Sequence, residues 1–144
     1  MSVNAISFLR TAELLKKQTD EAHLRTSIGR SYYATFLYFR ERLKKIGLEK
    51  NKQPEREAHI FVIKCLEWSQ LKEGTKASRY LRDLQQLRED ADYDLETTFS
   101  QNDADDAFLK AKKVIDDYKQ NITPEKETTL LNKASTSAKL KDWL

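Results

Sequence analysis

Arg88 and Asp92 stand four residues apart in the segment LRDLQQLREDADYDL, residues 81–95. On a helix this spacing puts a guanidinium and a carboxylate on one face, where they form an ordinary ion pair. The guanidinium is also a permanent cation whose planar fork matches a phosphate. Tyr93 follows Arg88 by five positions, about 140° around an ideal helix. The two therefore share a site only through the reach of Arg88, a distorted helix end or a second subunit. Glu89, Asp90, Asp94, Glu96 and Asp103 crowd the same region. Carboxylates at this density ordinarily mark a solvated face, and no E-x-x-H pattern supports a di-metal centre. With one cysteine and two histidines in the chain, a zinc cluster is not expected either. We expect no metal and no cofactor.

Two further residues could do chemistry. Arg30 opens the segment RSYYATFLYF, residues 30–39. It reads either as a phosphate contact or as a structural partner of Asp92. His59 reads either as the imidazole of a proton-transfer site or as a helix residue at or near the surface. His23 and Cys65 read as packing or surface positions. Tyr32, Tyr33, Phe36, Tyr38 and Phe39 cover more than the roughly 100° stripe that a one-sided helix buries. Core packing is the first reading for them, and a stacking platform for bases the sharper one.

The elements that must position these residues are helices. The 144 residues hold only 3 Gly and 2 Pro, too few turn formers for a sandwich or a Rossmann sheet. Apolar periodicity predicts a first helix over 4–18, with Ile6, Leu9, Leu14 and Leu15 near one side. A long second helix follows over about 20–46, capped by Asp20, with Ile28, Tyr32, Phe36, Phe39, Leu43 and Ile46 as its buried stripe. Gly47 ends it, after the basic turn Lys44-Lys45. A third helix opens at Pro54 and runs to about Ser69. Residues 70–75 read as a loop around Gly74, and Thr75 as the cap of a fourth helix carrying Tyr80, Leu81, Leu84, Leu87 and Ala91. A fifth helix, about 103–120, follows caps at Ser100 to Asp103.

The expected fold is thus all-α, an antiparallel up-and-down bundle of four to five helices over residues 1–121. Residues 122–144 open on Thr123-Pro124, a helix-start signal, but are thin in apolar side chains and read as a tail or peripheral helix, with Trp143 and Leu144 at its end. Formal net charge is +3, but the first 64 residues are basic and residues 65–121 acidic. That split permits an anionic partner on one face and equally permits salt pairing between helices. No run reaches the eighteen or so apolar residues of a membrane span. The start, MSVNAISFLR, has no signal-peptide core. A cytoplasmic protein without membrane contact is expected.

Three segments together carry a resemblance. Arg30-Ser31-Tyr32-Tyr33-Ala34-Thr35-Phe36 is similar to the R-x-Y-Y-A-x-F signature of HEPN-domain proteins (higher eukaryotes and prokaryotes nucleotide-binding). His59 lies where small stand-alone members often have a histidine. Leu84-Gln85-Gln86-Leu87-Arg88-Glu89-Asp90-Ala91-Asp92-Tyr93 resembles their L-x-x-L-R-x-x-A-D-Y segment. The resemblance covers residues 5–120. It implies a homodimeric helical bundle and, in many members, a metal-independent endoribonuclease that serves as a toxin beside a nucleotidyltransferase antitoxin or in phage defence. It implies a site of Arg88, Asp92 and Tyr93, with Arg30 and His59 binding RNA. The family's catalytic arginine is followed by a histidine, and here that place holds Tyr93. A phenol with its ordinary pKa of ~10 is a poor base near neutrality. The departure implies a second reading, a non-catalytic binding module that partners a nucleotidyltransferase or defence complex, with Tyr93 as an acceptor for nucleotidyl transfer.

Overall fold

A computed structural model of the chain describes residues 4–49 and 55–140. Six helices account for nearly all of them: α1 (Ala5–Leu15), α2 (Glu21–Lys45), α3 (Glu55–Trp68), α4 (Lys72–Tyr93), α5 (Gln101–Asn121) and α6 (Pro124–Leu140). No strand occurs among the described residues. The all-α reading holds: among the described residues five helices fall within 1–121, and a sixth occupies 124–140, in the segment read as a tail or peripheral helix. Pro54, Trp143 and Leu144 lie outside the described residues. Among those residues, no helix is long and apolar enough to cross a membrane.

The helix ends follow local chemistry. Asn4 caps α1, its Oδ1 accepting from the Ser7 N–H at 3.0 Å. At the end of α2, Gly47 takes a left-handed φ of 90°. Its N–H donates to the Lys44 carbonyl at 3.0 Å, and the Leu48 N–H reaches back to the Leu43 carbonyl at 2.9 Å. This is the Schellman closure, and the two leucines that frame it are both buried. Ser100 and Asp103 cap α5 reciprocally: the Ser100 N–H donates to Asp103 Oδ2 at 2.8 Å, and the Asp103 N–H to Ser100 Oγ at 3.3 Å. The Lys126 N–H donates to Thr123 Oγ1 at 3.2 Å, capping α6 just ahead of Pro124.

The turn from α3 to α4 is tighter than the expected loop over 70–75. Gln70 adopts a positive φ of 58°. Ser69 Oγ donates to the Leu66 carbonyl at 2.6 Å and accepts from the Leu71 N–H at 3.2 Å. The fourth helix therefore starts at Lys72, and Gly74 lies inside its first turn, buried. A Cβ at Gly74 would collide with Ser69 Oγ and fall 2.6 Å from the Leu66 carbonyl oxygen. Gly74 is there for close approach, not to break a helix.

Two compact units divide the chain, residues 1–38 with 80–115 and residues 39–79 with 116–144. In the first unit the core gathers Leu9 and Ala12 of α1, Leu24, Ile28, Tyr32 and Phe36 of α2, Leu81 and Leu84 of α4, and Phe108, Val114 and Ile115 of α5. Leu14, expected on the buried side of α1, is 66% exposed. It lies about 140° from Leu9 on an ideal helix, and Ala12 takes the inward place. Lys16 ties α1 to α5 through Asp105 at 2.6 Å, its ammonium 5.0 Å from the Phe108 ring.

In the second unit α6 packs on α3. Leu130, Ala134 and Ala138 are buried at four-residue spacing along α6. Two ion pairs hold the start of the helix: Lys126 to Glu73 at 2.7 Å, and Arg42 to Glu127 at 2.5 Å. Tyr118 adds its hydroxyl to the same Glu127 oxygen at 3.2 Å.

Candidate functional site

The first unit brings four polar and aromatic residues from α2 and α4 onto one another. Arg88 Nε lies 2.9 Å from Asp92 Oδ2. The contact is an ion pair at hydrogen-bond distance, but the N–H does not point along it, and the buried Nε has no aligned acceptor. Arg88 Nη2 donates to the Tyr33 hydroxyl at 3.1 Å. The Arg88 guanidinium carbon also lies 5.3 Å from the centre of the Tyr33 ring. One turn earlier on α2, Arg30 approaches the same ring at 5.0 Å and the Phe8 ring of α1 at 5.3 Å. Two guanidinium groups thus share one tyrosine as a cation–π partner.

The helices explain the geometry. Arg30 and Tyr33 are three residues apart on α2 and therefore neighbours on its surface, as Arg88 and Asp92 are on α4. Gly29 faces α4 from α2: a Cβ at Gly29 would meet Arg88 Cγ at 3.9 Å and Asp92 Oδ1 at 4.0 Å. The sequence left Arg30 open as a partner of Asp92. Asp92 pairs with Arg88, and Arg30 has no hydrogen bond or ion pair among the described residues. The Arg88 charge is thereby largely offset, and the Arg30 charge is not.

Tyr93 is the last residue of α4 and is 74% exposed. With Gln86, Arg88, Glu89, Asp90 and Asp94 it lines an open depression of about 540 Å³. The reach of Arg88 thus puts both residues on one surface feature despite their angular separation. Two rim carboxylates are already engaged. Asp90 accepts from Gln86 at 3.0 Å. Asp94 accepts from Thr97 Oγ1 at 2.6 Å and from the Thr97 and Glu96 N–H groups. The hydrogen bond from the Thr97 hydroxyl, then that from its backbone N–H, holds the Asp94 carboxyl below the ordinary range.

The end of α4 is fixed by Arg25. Its Nη1 donates to the Ala91 and Asp94 carbonyls, both at 2.8 Å, and its Nη2 to the Thr97 carbonyl at 2.5 Å. The guanidinium lies 4.8 Å from the Phe99 ring. Glu21 stands 3.5 Å from Arg25 Nε and accepts from the Phe99 N–H at 2.9 Å. A cation on the last carbonyls of a helix also complements its dipole.

His59 belongs to the second unit, on α3, and is only 6% exposed. It is more deeply buried than the sequence reading of a surface or half-buried histidine. Cys65 is fully buried on the same helix, and burial pushes its thiol up to about 12. His23 is half exposed and 3.2 Å from Asp20. Of the five expected site residues, Arg30, Arg88, Asp92 and Tyr93 lie in the first unit and His59 in the second.

Sequence reasoning missed Tyr33 and Arg25. Tyr33 read as one of five packing aromatics, yet it is only partly buried and binds Arg88. The signal was half present, in the three-residue spacing to Arg30. The chain matches no family model, no curated protein and no solved structure.

Proposed function

We propose that the chain is a HEPN-type protein that acts on RNA as a homodimer, its helices in the antiparallel bundle of that family. In this reading it is a metal-independent endoribonuclease, the toxin or effector of a toxin–antitoxin or phage-defence system. One observation carries it: Arg88 is held between Asp92 and Tyr33 at the wall of an open depression that also displays Tyr93. In cleavage without a metal the 2′ hydroxyl loses its proton to water as its oxygen bonds to phosphorus, and the bond from phosphorus to the 5′ oxygen breaks, that oxygen leaving with a proton. Arg88 offsets the charge that builds on the phosphoryl oxygens. Asp92 holds the arginine, and in this reading the Tyr93 phenol gives the proton to the leaving oxygen and regains one from water. The products are a 2′,3′-cyclic phosphate and a 5′-hydroxyl.

The test is cleavage of single-stranded RNA in EDTA with the ends analysed. Wild type should leave cyclic phosphates, and Arg88→Ala should abolish cutting. Wild type and Arg88→Ala equally inert across varied RNAs would defeat the nuclease reading.

A second reading has its own observation. Tyr93 stands where the family has a histidine; the residue is 74% exposed, and its hydroxyl makes no hydrogen bond among the described residues. A phenol so displayed suits a binding module that accepts a nucleotidyl group from a partner nucleotidyltransferase. Co-expression with such a partner should add one nucleotidyl mass, absent from Tyr93→Phe. An unchanged intact mass counts against it.

A further inference from the structure

We infer that Arg30, Tyr33 and Arg88 form a clamp for two neighbouring phosphates of one RNA strand, with Tyr33 as the positioning residue. The inference rests on the RNA reading above and gives it a defined ligand geometry. It starts from Arg30. A partly buried guanidinium normally has a carboxylate or carbonyl partner, because desolvating an unpaired charge is costly. Arg30 has neither among the described residues, and its Nε is buried without an acceptor. Its contacts are the faces of Phe8 and Tyr33. Aromatic faces hold a guanidinium in place while leaving its N–H edges unspent, which is the state of an anion receptor before its anion arrives.

Tyr33 makes the receptor double. Both guanidinium carbons lie about 5 Å from its ring centre, so they are at most about 10 Å apart. Arg88 is ion-paired with Asp92 through Nε and gives one Nη2 hydrogen to the Tyr33 hydroxyl, and its Nη1 edge carries no hydrogen bond among the described residues. Successive phosphates of a strand advance by at least ~3.4 Å, so two guanidiniums within this span reach neighbouring phosphates. The exposed Tyr93 ring, on the depression that Arg88 lines, offers a base a stacking face, which favours a single strand.

The experiment is a salt series. A labelled 2′-O-methyl oligouridylate, which cannot be cut through its 2′ oxygen, is titrated with the full-length protein in EDTA, and affinity is read by fluorescence anisotropy. On a single strand, the slope of log affinity against log salt falls by about 0.7 for each phosphate that is no longer neutralised. Arg30→Gln and Arg88→Gln should each lower the slope by about 0.7. Tyr33→Ala should lower it by more than either, since both guanidiniums lose their support. Tyr33→Phe keeps the ring, so the slope should hold while affinity drops about fivefold with the missing hydrogen bond. Thermal melts of the same samples identify any variant that has not folded, and Tyr33→Phe then decides. An unchanged slope in Arg30→Gln would overturn the clamp. So would a slope reduced equally in Tyr33→Phe and Tyr33→Ala. Calorimetry with pyrophosphate and orthophosphate separates the clamp from the RNA reading. Tighter binding of pyrophosphate that Arg30→Gln abolishes, without RNA binding, keeps the clamp and removes RNA. Binding of neither removes the clamp.

Discussion

Replacing Arg25 with alanine should be the most destabilising single change at the α4 end of the first unit. The side chain is 11% exposed, and its donors serve three carbonyls beyond or near the last turn of α4. A hydrogen bond from a charged donor contributes about 1.5–3 kcal/mol. Counting only the two part-buried bonds, to Ala91 and Asp94, at the lower end gives a loss of about 3 kcal/mol. The exposed bond to Thr97 and the stacking on Phe99 are left out of that figure, so it leans low. Arg25→Lys should recover little, because one ammonium cannot bridge three carbonyls as a planar fork does. Glu21→Gln is the contrasting variant. Its amide oxygen still accepts from the Phe99 N–H, and the change should cost less than about 1 kcal/mol. Urea unfolding of the three variants measures these differences. Native-state hydrogen exchange should show faster exchange at residues 94–99 in Arg25→Ala than in wild type. A loss under about 1 kcal/mol for Arg25→Ala, or equal losses for Arg25→Ala and Glu21→Gln, would refute the reasoning.

Gly74→Ala should destabilise the α3–α4 turn by about 1–3 kcal/mol, because its Cβ would meet a backbone carbonyl at 2.6 Å that cannot move aside. Ser69→Ala in the same background should restore little, since the carbonyl clash survives the loss of the hydroxyl, and urea midpoints of the two variants check both statements. Glu73 sets a pH dependence. The hydrogen bond from Lys126 is the main cause that lowers its carboxyl below the ordinary 4.5. A depressed folded value means that the unfolded chain takes up the proton first, so the stabilisation is present above about pH 4.5 and lost as pH falls through the folded value. Stability measured from about pH 6 to pH 3 should therefore fall less steeply in Lys126→Met than in wild type, and parallel curves would count against the pair.

Much of the fold was legible because helix ends are local. Gly47, the Ser100–Asp103 box and Thr123 each act within a few residues of their own position, and the structure uses them as the spacing implies. Gly74 was misread for the opposite reason. Its role is set by Ser69 and Leu66 across a turn, and a glycine that permits close packing looks like one that breaks a helix. The start of α6 was marked by Thr123-Pro124, but its docking was not. Of the residues on it whose burial is described, the buried ones are Leu130 and two alanines, whose small apolar surface adds little to a hydropathy pattern while letting helices approach closely. At the candidate site, the Arg88–Asp92 pair lay within one helix and could be read directly. The Arg88–Tyr33 bond joins residues 55 apart in sequence, and nothing in either local pattern reports it.

Arg25 and Arg30 sharpen the distinction between an arginine that builds the fold and one that awaits a partner. They stand five residues apart on α2, and both rest against aromatic rings. The rings do not distinguish them, and neither does burial, since both are partly covered. Acceptors do. Arg25 directs its Nη groups at three carbonyls and keeps Glu21 beside its Nε. Its charge is consumed within the molecule, where it stands in for the missing last turn of α4. Arg30 makes no hydrogen bond or ion pair among the described residues, although 23 acidic residues are available in the chain. Carboxylates are plentiful in the acidic segment that supplies α4, yet Asp92, the one expected to serve Arg30, is taken by Arg88. A fold selected for stability alone gains by giving Arg30 one of them or by replacing it with an apolar residue. Keeping the charge and steering the carboxylate to its neighbour makes sense where an anion from outside completes the set.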